Sequence, residues 1–287
     1  MGYGKQLRIA GSCFRSLITH PFVLVYPILS GLGIVGSLLG FASLALFMAT
    51  PVGPALPDSG IVWGVYFALL VPTLVLGLPL LITTMKVAYC YELHELYRGR
   101  RPMPLAGLGV ALGNLKRIVL GTVIVAGIFN SGRMAAGDMD SVGNAAGAAT
   151  MAGSHVLATF MAPAIAIEDA SAKATAQHIR EAVGKQWGEA FAVSYSVSKV
   201  AGSLFFLGLF GGIGIVASLY LGLFPLAMEP TTVLLLGVLS PFAGFFAAAS
   251  FKALTDGPIS TALYIHAVDG DKPDRFGLPI DQIASLG

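Results

Sequence analysis

Long apolar runs alternate along this chain with polar stretches that carry nearly all of its bases, and that alternation leaves few folds open to it. The runs occupy residues 22–48, 61–85, 118–129, 145–167, 200–223 and 231–252. Most of them reach the roughly 20 residues a helix needs to cross the hydrocarbon layer. Only 11% of the 287 residues are charged and 55% are hydrophobic, whereas soluble domains carry roughly 25% charge. Too little polar surface is left to cover a water-soluble globule, so lipid must solvate much of the chain. The expected fold is an all-α polytopic membrane bundle: one integral membrane domain over 1–287, six spans, and amphipathic helices at one face.

The placement of charge fixes the expected threading. With those runs as spans, sixteen of the seventeen Lys and Arg fall on one side and only Arg133 on the other. By the positive-inside rule this side is cytoplasmic, so both termini are cytoplasmic and the number of spans is even in a multi-pass cell-membrane protein. Cys13 and Cys90 map to the same side, where thiols stay reduced and no bridge is expected. The run over 22–48 is too long for the core of a secretory signal and is read as a retained span.

Between the fourth and fifth runs, residues 169–191 place Ala172, Ala176, Ile179, Val183, Trp187 and Phe191 three or four apart. Lys173, Gln177, Arg180, Glu181 and Lys185 occupy the other side. This is the pattern of a helix lying along a membrane surface and reversing the chain. Residues 5–19 and 105–119 repeat it. The second and sixth runs should continue inward as helices, to Gly99 and through Asp256 to about residue 268, with Gly257-Pro258 kinking or breaking the latter. The third run holds only twelve apolar residues and the fourth is weakly apolar. This central pair is therefore expected to be shielded inside the bundle or to cross incompletely.

Residues 31–38 (GLGIVGSL) resemble 212–219 (GIGIVASL), and Gly99-Arg-Arg-Pro resembles Gly270-Asp-Lys-Pro. A unit of surface helix, outward span and inward span would then be used three times, over 5–101, 104–168 and 169–273. Glycine-rich apolar helices match one another easily, so the architectural repeat is firmer than a sequence duplication.

At THPFVLVYPILSG near the start, APAIAIEDASAKATAQHIREAVGKQWGEAF in the middle and ALYIHAVDGDKP toward the end, the chain resembles a family of uncharacterised archaeal and bacterial multi-spanning membrane proteins, classed as a domain of unknown function. The resemblance covers nearly the whole length through loose motifs. It implies six spans separated by cytoplasmic amphipathic helices and brings no established activity. The long Gly/Ala-rich middle loop departs from the family.

Gly31-x-Gly33-x-x-Gly36 matches a dinucleotide fingerprint in letters only, since that motif needs a strand before it and this one sits inside an apolar run. Close helix packing is the better reading, as it is for Gly36-xxx-Gly40, Gly60-xxx-Gly64 and Gly208-xxx-Gly212. The sharpest functional candidates are ionisable groups at or near membrane depth, where charge is costly: Lys86, His155, Glu168, Asp169, Lys199, Lys252 and Asp256 could line a polar cavity open to the cytoplasm. Lys252 and Asp256, four apart, could pair on one helix face. The competing reading makes the lysines interfacial anchors and the acids helix caps. Arg98, Arg100, Arg101, Arg180, Lys185 and Trp187 are candidates for meeting anionic lipid or a protein partner, with no nucleic acid expected.

No metal-ligand spacing, nucleophile elbow or phosphate loop occurs, so no metal, cofactor or enzymatic activity is expected. The leading functional expectation is a non-enzymatic membrane component that organises lipid or protein partners. The alternative is a small-solute transporter or channel with a cytoplasm-facing polar cavity.

Overall fold

The computed structural model describes residues 11, 20–49, 59–101, 103, 105–137, 141–168, 170–220 and 230–270. A 3-10 turn, Pro21–Leu24, leads into α1, Val25–Ala49. Helix α2, Ser59–Pro72, passes through a π stretch, Thr73–Gly77, into α3, Leu78–Tyr97. Pro72 cannot donate to the helical ladder, and the wider π register follows it directly. Then come the short α4, Ala106–Gly113, and α5, Leu115–Gly137, followed by α6, Ser141–Ile167, α7, Ala172–Tyr220, and α8, Pro230–Asp269. Among the described residues there is no strand.

The long helices form three hairpins: α1 with α2 and α3, α5 with α6, and α7 with α8. Five segments are long and apolar enough to cross a membrane: Pro21–Ala45, Trp63–Tyr97, Leu115–Met134, Gly147–Ile167 and Val197–Ser218. The third of these has 20 residues. The twelve-residue apolar run understated it because the helix also takes in Lys116 and Arg117 at one end and Asn130 to Met134 at the other. The expected sixth span falls on α8, which is not among the five; several side chains over 231–238 lie outside the described set.

Burial is concentrated at the end of the hairpins where the bases cluster. There the core joins Val23 and Tyr26, Val87 to Leu96, Ala111, Ile118, Val156 to Ala166, and Ile259 to Ala267. Away from it the helices turn large apolar side chains outward: Leu32 and Leu39 on α1, Phe67 and Leu69 on α2, Phe206 and Phe210 on α7, Phe242 and Phe246 on α8. A surface of this kind suits hydrocarbon and not water. The most apolar stretch of Gly147–Ile167 is 56% buried, against 6 to 29% for the other four segments, so α6 is the central strut. The segment Trp63–Tyr97 has 35 residues, or about 52 Å of helix. That exceeds a hydrocarbon layer of about 30 Å, so its last turns belong to the basic end.

Two of the returning helices end on a glycine in the left-handed region. Gly99 adopts φ 75° and Gly270 φ 71°, a region that costs a residue with a Cβ. After α3, Gly99 N–H donates to the Leu96 carbonyl and Arg100 N–H to the Glu95 carbonyl, the double bond of a Schellman cap. Where an apolar contact commonly closes that motif, Arg100 and Glu95 instead form an ion pair at 3.0 Å. After α8, Gly270 N–H donates to the His266 carbonyl at 3.1 Å. The two sequences that resemble one another at these glycines thus perform one structural task.

The expected surface helices fare differently. Residues 5–19 lie outside the described set apart from Gly11. Over 105–119 the chain breaks at Asn114 into α4 and the start of α5. Residues 172–191 are not a separate helix reversing the chain but the first turns of the 49-residue α7, which runs on into a span. No Gly or Pro lies between Phe191 and Val200 to stop it. Nor does Gly257-Pro258 break α8. Pro258 cannot donate to the Leu254 carbonyl, and Tyr89 of α3 supplies a hydroxyl to that carbonyl at 3.3 Å. Gly257 leaves room for the same ring: a Cβ there would come within 2.1 Å of it.

Close packing through glycine holds at Gly208 and Gly212, where an added Cβ would stand 2.5 Å from the Gly244 Cα and from the Gly237 carbonyl oxygen, respectively. At Gly36, Gly40, Gly60 and Gly64 an added Cβ would meet nothing within 4 Å, so those pairs do not pack helices within the described chain.

Candidate functional site

Three helices from two hairpins enclose a half-open groove of about 230 Å³ at the basic end. Helix α1 contributes Tyr26, Ser30 and Ile34, α3 contributes Ile82, Lys86 and Tyr89, and α8 contributes Ala249, Lys252 and Asp256. The order of these residues along each helix gives the groove a direction. Tyr26, Tyr89 and Asp256 lie toward the basic end, and Ile34, Ile82 and Ala249 lie about two turns farther out. One end is therefore charged and the other greasy.

At the charged end Lys86 Nζ donates to Asp256 Oδ2 at 2.7 Å. The side chains are 17% and 24% exposed. Asp256 therefore pairs across the hairpins with Lys86. Lys252, one turn away on α8, is exposed and lines the same groove. Burial alone would raise the Asp256 carboxyl, but Lys86 and Lys252 overcome it and hold the group below its ordinary value. His155 of α6 is close enough to feel both Lys252 and Asp256. Two lysines and one aspartate leave the charged end with a formal charge of +1 when His155 is neutral.

Glu168 belongs to a different cluster. It follows α6, and its carboxylate receives the Tyr264 hydroxyl from α8 and stands 2.9 Å from His178 Nδ1 of α7. Its main-chain carbonyl accepts from Arg117 Nη1 at 3.0 Å, while Arg117 also donates to the Asn114 amide oxygen at 2.7 Å and to the Thr175 hydroxyl. Burial pushes the Glu168 carboxyl above its ordinary value despite the pull of His178 and Arg117. This junction ties α5, α6, α7 and α8 together.

The seven cavity candidates thus separate. Lys86, Lys252 and Asp256 meet in the groove, whereas His155 does not line it and sets its ring edge-on to Phe129 of α5, and Glu168 lies in the second cluster. Lys199 is exposed on α7, where its carbonyl accepts from Ser203. Asp169 lies outside the described residues. Among the surface candidates Arg98, Arg101 and Arg180 are exposed and Arg100 is paired with Glu95. Lys185 donates to the Ala267 carbonyl at 3.2 Å, where a cation suits the C-terminal end of α8. The Trp187 side chain lies outside the described set.

Sequence reasoning missed Glu92. It is fully buried, receives the Tyr26 hydroxyl at 2.5 Å and the Gly107 N–H at 3.4 Å, and so fastens α1 and α4 to α3. The signal available was position: Glu92 falls on the face of α3 that also carries Ala88 and Leu96, four residues either way. Gly107 makes the approach possible, since a Cβ there would lie 2.2 Å from the Ala88 carbonyl oxygen.

No family model matches the chain, and comparison with curated proteins and with solved structures finds no similar one.

Proposed function

We propose that this chain is a non-enzymatic, multi-pass membrane component that holds an anionic lipid in the groove between α1, α3 and α8, with its basic end in the cytoplasm. The observation that carries the reading is the groove's polarity. Lys86, Lys252 and Asp256 stand toward one end, and apolar walls run outward from them, two of the three along segments fit to cross a membrane.

A phospholipid has the same polarity. Its phosphate would meet Lys252 beside the Lys86–Asp256 pair, and an acyl chain would run past Ile82 and Ile34. The net positive charge favours an anionic headgroup over a zwitterionic one. At about 230 Å³ the space is smaller than pockets that swallow a whole ligand, roughly 300 Å³ and upward. It suits one acyl segment, with the rest of the lipid in the bilayer. Exposed Arg98, Arg101 and Arg180 add attraction for the same leaflet.

The test is the lipid that co-purifies with the detergent-extracted full-length chain. Phosphatidylglycerol enriched over phosphatidylcholine, with enrichment lost in Lys252→Glu, supports the reading. Equal retention of both lipids, unchanged in Lys252→Glu, contradicts it. Proteoliposomes that carry small ions or metabolites would move the account to a transporter.

A further inference from the structure

We infer that the lipid in the groove between α1, α3 and α8 carries a hydroxyl on its headgroup, as phosphatidylglycerol does, and that Asp256 is the residue that selects it. This rests on the lipid-binding reading just given and adds the class of headgroup.

The order of side chains along α8 sets the order of groups in the ligand. This helix runs toward the basic end, so Ala249, Lys252 and Asp256 line the groove at successive turns: apolar first, cation next, carboxylate last. A lipid with its acyl chain outward and its phosphate at Lys252 extends whatever the phosphate carries toward Asp256. Two positions four apart on one helix face are separated by about 5 to 6 Å at Cβ. A phosphate and the hydroxyls of its glycerol ester bridge such a span. Phosphatidic acid has nothing beyond its phosphate to place there.

Asp256 has an acceptor to offer. Its Oδ2 receives Lys86 Nζ at 2.7 Å, and its Oδ1 receives no donor from the described residues. The side chain is 24% exposed and lines the groove. A carboxylate only accepts, so the incoming group must supply the hydrogen. The two ring hydroxyls at that level are directed elsewhere, Tyr26 to Glu92 and Tyr89 to the Leu254 carbonyl. An ammonium also carries hydrogens, but Lys86 stands on the same carboxylate and repels a second cation. A neutral hydroxyl meets no such cost. Lys252, exposed and in no ion pair among the described residues, is left for the phosphate.

Native mass spectrometry of the full-length chain, with lipids of one acyl composition in competition, reads the preference. The wild type should retain phosphatidylglycerol about tenfold more tightly than phosphatidylpropanol, which has the same charge and carbon skeleton but no headgroup hydroxyl. Lys86→Met with Asp256→Ala removes both charges of the pair and leaves the net charge of that end unchanged. It should keep both lipids over phosphatidylcholine and no longer tell them apart. Asp256→Ala alone should also lose the preference, and it carries this arm should the double variant fail to fold by its melting temperature. Equal retention of phosphatidylglycerol and phosphatidylpropanol by the wild type, both above phosphatidylcholine, overturns the hydroxyl inference and leaves the anionic-lipid reading standing. Retention of neither above phosphatidylcholine overturns both. A preference that survives in the variants overturns the role of Asp256, and phosphatidylethanolamine held more tightly than phosphatidylglycerol replaces the hydroxyl with an amine. Glycerophosphoglycerol, the same head without acyl chains, should not displace the lipid at equal concentration, and full displacement would assign the groove to a soluble diester, against both readings.

Discussion

Lys86 and Asp256 stand 170 positions apart in the chain and 2.7 Å apart in space. The pair joins the first hairpin to the third at the charged end of the groove. Because both side chains are mostly buried, removing one partner strands the other in a poorly solvated place. Asp256→Asn should cost about 2 kcal/mol, between the values for exposed and fully buried pairs. Lys86→Gln should cost less once Asp256→Asn is present, and a double-mutant cycle on thermal unfolding measures that coupling.

Asp256 and Glu168 should give stability slopes of opposite sign. Asp256 is held below its ordinary 3.8 by Lys86 and Lys252, with His155 facing it from α6. Its contribution is complete above that value and is lost as pH falls through the lowered one. Glu168 is pushed above its ordinary 4.5 by burial, with His178, Arg117 and Tyr264 around it. Its contribution is complete below 4.5 and is lost as pH rises through the raised value. Melting curves from pH about 3 to about 7 should show Asp256→Asn flattening the acid limb, and Glu168→Gln flattening the decline on the other side.

Tyr89 and Pro258 make a compensated defect. The ring hydroxyl donates to the Leu254 carbonyl that Pro258 leaves without its helical donor. Tyr89→Phe should destabilise by about 1 kcal/mol. In a Pro258→Ala background, where the helix supplies its own donor, the same change should cost less. Chemical unfolding of the four proteins tests the cycle.

Glycines that share a spacing should respond differently to alanine. Gly208→Ala places a Cβ 2.5 Å from the Gly244 Cα and should cost about 1 to 3 kcal/mol by overpacking. At Gly36, with nothing within 4 Å, alanine should be neutral or add up to about 1 kcal/mol through helix propensity. Melting temperatures of the two variants decide it.

Local pattern made the helical class, the hairpin order and the glycine contact at Gly208 and Gly212 legible, because apolar run length and small-residue spacing are properties of neighbouring residues. The continuity of α7 was not legible. A one-sided polar helix reads alike whether it lies on a membrane or runs straight into a span, and only the lack of a stop between Phe191 and Val200 separates the two. That α8 runs unbroken through Gly257-Pro258 was not legible for a different reason: the group that satisfies Leu254 is Tyr89, on another helix far away in sequence. The groove itself was half legible. Lys86, Lys252 and Asp256 stood out as charges beside apolar runs, but no spacing rule pairs Asp256 with Lys86 over the nearer Lys252. Glu92 looked like one more charge in a polar stretch, and only the packing of α1 and α4 reveals it as buried.

The most direct measurement is the structure of the full-length chain in nanodiscs containing phosphatidylglycerol. The account predicts headgroup density at Lys252 and a continuous acyl chain leading outward past Ile82 and Ile34. A groove closed and dry, or one holding a water column that continues through the bilayer, would contradict it.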